Sequence, residues 1–77
     1  MEKAFNRLKG LRAERGLTQV DMAKLLGMNP VTYRKKENGE RDFTLKEVAK
    51  AQEVLEIDPQ YYFFYKFSNR TVTNQPA

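Results

Sequence analysis

Thr18-Gln19-Val20-Asp21-Met22-Ala23-Lys24-Leu25-Leu26-Gly27-Met28-Asn29-Pro30-Val31-Thr32-Tyr33-Arg34-Lys35-Lys36-Glu37-Asn38-Gly39 decides the fold. Thr18 stands where a helix N-cap belongs, and Val20, Met22, Ala23, Leu25 and Leu26 follow at helical spacings. Gly27 ends that segment, since glycine tolerates the left-handed conformation found just past a helix. Asn29-Pro30 restarts it: Asn caps free N–H groups, and Pro brings the right φ and no surplus donor to the first helical position. The second helix runs from Pro30 to about Asn38 and stops at Gly39. Two helices this short, joined through a glycine, leave each other at a steep angle, the connection that a helix-turn-helix requires.

Outward from this stretch the pattern stays helical. Phe5, Leu8 and Leu11, with Ala4 beside them, mark the buried face of an earlier helix that stops at Gly16. After the loop Glu40-Arg41-Asp42-Phe43, Thr44-Leu45-Lys46-Glu47 fits a capping box and opens a fourth helix carrying Leu45, Val48, Ala49, Ala51 or Gln52, and Leu55. Asp58-Pro59 repeats the cap-plus-proline device ahead of Tyr61-Tyr62-Phe63-Phe64-Tyr65. The reading is an all-α chain of five short helices, with one domain over residues 1–67 and a flexible tail over 68–77.

Composition narrows the function. In 77 residues, Ile, Leu, Val and Phe number 18, enough for one small core but not for two. Cys and His are absent, which excludes disulfides, thiolate or imidazole metal sites, and any triad with a His or Cys base. No acid–base pair or nucleophile can be assembled from the rest, so an enzyme is not expected, nor is a cofactor or small-molecule ligand. There is no apolar run of roughly 18 residues and no signal-peptide core, so the expected location is cytoplasmic, in a bacterial cell or a phage-infected host. The net charge is +4, but residues 1–41 carry +5 while residues 42–58 carry −3. Such a split points one face toward a polyanion, the alternative being an uneven solvated surface.

On a helical wheel of residues 30–38, Tyr33 and Glu37 fall on the inward side. Val31, Lys35 and Asn38 fall opposite, with Thr32 and Arg34 flanking. Val, Thr, Lys, Arg and Asn suit a major groove, where methyls meet thymine and cations donate to guanine O6 and N7. The bland alternative is a merely solvated face.

Arg12-x-x-Arg15-Gly16-Leu17-Thr18-Gln19, then Ala23, Leu26-Gly27-Met28, Tyr33 and Glu37-Asn38-Gly39 resemble the Cro/repressor-type (lambda repressor-like) helix-turn-helix family of phage and bacterial regulators. The resemblance covers roughly residues 5–57. It implies a sequence-specific regulator, Cro-like or a minimal repressor, on a double-stranded DNA operator. Base reading then falls to Asn29, Val31, Thr32, Arg34 and Lys35, and phosphate contacts to Thr18, Gln19, Lys36, Asn38 and Arg41. In the family, the residue at Gln19 also braces the recognition helix, and the pair at Arg12 and Glu37 joins the first helix to the end of the third. One departure is Lys36, where the family commonly has an apolar residue. Either its stem covers Tyr33 or Leu45 while the ammonium reaches water, or it contacts phosphate. The family's last helix often builds a homodimer, which assigns Tyr61, Phe64, Tyr65 and Phe67 to an interface, while Tyr62 and Phe63 close the core. A membrane partner is not expected. The alternative function is a protein-binding antirepressor or antitoxin that docks on another regulator, for which the acidic 42–58 stretch and the aromatics would serve.

Overall fold

A computed structural model describes residues 4–65, and within them the chain is all-helical, with five helices and no strand. The order is α1 (Asn6–Glu14), α2 (Gln19–Leu26), α3 (Pro30–Glu37), α4 (Leu45–Leu55) and a π-helix (Gln60–Phe64). The boundaries follow from local chemistry. Thr18 and Asp21 form a reciprocal capping box at α2, and Thr44 and Glu47 form another at α4. Asn29 Oδ1 accepts from the Val31 N–H at 2.8 Å, with Pro30 at the first helical position of α3.

The exits are equally determined. After α1, Gly16 takes φ 69°, its N–H donates to Ala13 O at 3.1 Å and that of Leu17 to Arg12 O at 2.8 Å, a Schellman closure. Gly27 closes α2 at φ 70°. A side chain there would meet nothing within 4 Å, so glycine is needed for handedness and not for space. Helix α4 ends differently, on Glu56 at φ 54°, and the Arg15 guanidinium donates to the carbonyl of Leu55 at 2.8 Å. No glycine signals that stop.

Phe5, Leu8, Leu11, Met22, Ala23, Leu26, Tyr33, Val48, Ala51, Leu55 and Phe63 form one core. Each large apolar side chain fully buried there contributes about 1.5–3 kcal/mol before chain entropy is set against it. Phe43, which the sequence places in a loop, is the hub of its aromatic part. Its ring lies edge-on to Phe5 at 5.1 Å and to Phe63 at 5.0 Å, with Tyr33 at 6.1 Å. Two expectations change. Leu45 is not a core residue of α4 but is 78% exposed at its first position. The aromatic segment winds as a π-helix, whose wider i→i+5 turn turns Phe63 fully inward while leaving Tyr61 outward and Tyr62, Phe64 and Tyr65 half-buried. The segment 68–77, expected to be a flexible tail, lies outside the described residues.

Candidate nucleic-acid interface

Helix α3 carries two consecutive ionised side chains on its inner side, which is unusual in a domain this small. Glu37 is fully buried, and an unpaired carboxylate there would be prohibitively costly. It is therefore met from three elements. Arg12 on α1 donates from Nε to Oε2 at 3.0 Å and from Nη2 to Oε1 at 3.4 Å. Gln19 on α2 donates from Nε2 to Oε1 at 2.9 Å, and the Tyr33 hydroxyl, one turn earlier on α3, donates to Oε2 at 2.5 Å. The main chain joins in, because the Phe5 N–H donates to Glu37 O at 2.8 Å. Burial pushes the Tyr33 phenol well above its usual range, and its bond to the Glu37 carboxylate and that negative charge add to the shift. The Tyr33 hydroxyl thus serves as a donor to the buried carboxylate.

The structure brings Arg12 and Glu37 together, and Gln19 bonds the same carboxylate of α3. Lys36 has a partner that the sequence did not suggest. Its side chain is only 9% exposed, and Nζ donates to both carboxylate oxygens of Glu47 at 2.6 Å. The ammonium is thus paired with a carboxylate on the first turn of α4. Partial burial works to raise the Glu47 carboxyl, but the Lys36 hydrogen bonds, the Thr44 N–H and the ammonium charge outweigh it and hold the group below its ordinary value. Sequence reasoning assigned Glu47 to its cap alone. The available signal was a lysine in a normally apolar position with a carboxylate at a neighbouring helix start.

With its inner side so anchored, α3 presents the rest outward. Val31 is 52% exposed, Arg34 is exposed, and Thr32, Lys35 and Asn38 are half-buried. Asn29 spends its side-chain oxygen on the α3 cap, which leaves its amide N–H groups for a ligand. At the start of α2, the Thr18 N–H donates to Asp21 Oδ2 at 2.9 Å and its Oγ1 accepts from the Asp21 N–H at 3.0 Å. The bonds from the Thr18 N–H and hydroxyl hold the Asp21 carboxyl below its ordinary value, so an ionised carboxylate already occupies that helix end. Arg41 is exposed in the loop after α3.

The proposed dimer residues do not form one free patch. Tyr61 is 51% exposed, and Phe64 packs, half-buried, against the core. The Arg7 guanidinium of α1 lies 4.2 Å from the Tyr61 ring centre and 4.1 Å from that of Tyr65, and it donates to Tyr61 O at 3.2 Å. Phe67 lies outside the described residues. Sequence reasoning missed Arg7, whose partners sit more than fifty positions away and share no local pattern with it.

Two short helices joined at a left-handed glycine, the second pinned across the first by a buried carboxylate, define a helix-turn-helix domain. A helix-turn-helix family model matches residues 8–62, and the chain belongs to that family. The family is of the Cro/repressor type, a class of DNA-binding regulators that are typically not enzymes. No curated protein matches the chain. Among the described residues, no helix is long and apolar enough to cross a membrane.

Proposed function

We propose that the chain is a sequence-specific transcriptional regulator that reads the major groove of double-stranded DNA with α3 and binds as a homodimer to a near-palindromic operator. One observation carries this reading: α3 is fixed to the body by a fully buried Glu37 while Val31, Thr32, Arg34 and Lys35 stand on its outer side. A helix that reads bases has to be both rigidly held and laterally free.

In this reading the Val31 side chain and the Thr32 methyl meet thymine methyls. Arg34 or Lys35 donates to guanine O6 and N7, and the Asn29 amide donates to a neighbouring acceptor. Arg41, Asn38, Gln19 and Thr18 hold backbone phosphates and set register without reading sequence. Because Asp21 already occupies the α2 N-terminus, the phosphate there depends on side-chain donors more than on the helix dipole.

Selection of bound duplexes from a random pool tests the reading. The expected product is a near-palindrome with half-sites about one helical turn, roughly 34 Å, apart. Its affinity should fall with salt at a slope of about 0.9 per neutralised phosphate. A pool that never enriches, together with binding indifferent to salt, would refute it and favour a protein partner.

A further inference from the structure

Lys36 and Glu37 are consecutive, so their side chains leave α3 about 100° apart around its axis. Their charged ends go to different supports. Glu37 is gripped by Arg12 of α1 and Gln19 of α2, whereas Lys36 is gripped by Glu47 of α4. Among the described residues, Lys36–Glu47 is the hydrogen-bonded link between α3 and α4. The far end of that link is itself immobilised. Glu47 Oε1 also accepts from the Thr44 N–H at 2.9 Å, and the Glu47 N–H donates to Thr44 Oγ1 at 3.1 Å. A carboxylate closed into a capping box cannot follow the ammonium if α3 turns.

A helix held along one side can roll about its own axis, while one held at two directions about 100° apart cannot. We propose that Lys36 and Glu47 are positioning residues for base reading: their ion pair fixes the roll of α3, and so the angle at which Val31, Thr32, Arg34 and Lys35 meet the base edges. Lys36 itself adds nothing to phosphate binding. The inference rests on the DNA-reading function proposed above. An ion pair suits the task better than an apolar contact. Buried pairs bring little net stability over an apolar isostere, but hydrogen bonds to a fixed carboxylate are directional, where methylene packing tolerates sliding.

The test uses the full chain, the duplex enriched by selection and a random duplex of equal length, at a temperature where circular dichroism shows every variant folded. Lys36→Met keeps the stem and removes the charge. It should lower the ratio of specific to random affinity about tenfold, within the range of one lost bidentate base contact. Random-duplex affinity and the salt slope should stay at wild-type values. Glu47→Gln should act in the same direction, and the double variant should lose no more than the worse single one, because both remove one link. A slope lower by about 0.9 in Lys36→Met would instead identify a phosphate contact and overturn the proposal. So would an unchanged specificity ratio, or a parallel loss on both duplexes. A wild type that does not discriminate between the duplexes sinks the DNA reading and this inference with it. A wild type that discriminates, with Lys36→Met discriminating equally well, sinks the positioning role alone.

Discussion

Replacing Glu37 by Ala removes four acceptor contacts at once from a position with no solvent exposure. The losses are unequal. Gln19 is half-buried and can turn its amide to water. Arg12 keeps its bond to Leu17 O at 3.1 Å, and its side chain is 20% exposed, so it recovers part of its solvation. The Tyr33 hydroxyl is fully buried and is left with no acceptor, alongside a void the size of the lost carboxyl. Removing one member of a buried pair costs about 3–5 kcal/mol, and an orphaned buried hydroxyl alone about 1–3 kcal/mol. These overlap because they share one network, so about 3–4 kcal/mol is the working figure. At roughly 4–8 °C per kcal/mol for a domain of this size, the thermal midpoint should fall by at least about 12 °C. Val31→Ala, on the exposed side of the same helix, should stay within about 0.5 kcal/mol of wild type. Urea titration and thermal melts followed by circular dichroism make the comparison. Equal midpoints for Glu37→Ala and Val31→Ala would refute the assignment of Glu37 as the anchor of α3.

Lys35→Ala should relax preference at one operator position, seen as a broadened base distribution in repeat selection. Arg41→Ala should weaken all duplexes alike and flatten the salt slope by about 0.9. Glu47 has its folded carboxyl held below the ordinary value of 4.5, so its contribution is present above that value and is lost as pH falls through the folded one. Denaturation midpoints should therefore drop more steeply in acid for wild type than for Glu47→Gln, and parallel curves would contradict the pairing. Tyr61→Glu should reduce the sedimenting mass from twice 9.0 kDa to once, and an unchanged mass removes Tyr61 from the interface. Tyr61 is the better site for this test than Phe64, whose ring also packs on the core.

The helix starts were legible because each is written within three or four residues: Thr18 with Asp21, Asn29 with Pro30, Thr44 with Glu47. Tyr33 and Glu37 were legible as inward-facing from the wheel, and Gln19 and Arg12 as bracing residues from the family resemblance. What escaped has no local signature. Leu45 aligns with the apolar side of α4, yet at the helix's first position it stays 78% exposed. Phe43 acquires its place only when Phe5 and Phe63, thirty-eight positions before it and twenty after, close around it. The fate of Lys36 depended on whether a carboxylate would lie within reach, and that is decided by the path of the loop between α3 and α4.

The partners of Glu37 also bear on whether the two-helix unit is a portable part. Excised as a peptide from Thr18 to Gly39, it would keep Tyr33 and Gln19 but lose Arg12 and the Phe5 amide. The carboxylate would then seek water, drawing the end of α3 away from α2. Grafting this two-helix unit onto another scaffold therefore calls for the preceding helix to travel with it, as a three-helix cassette.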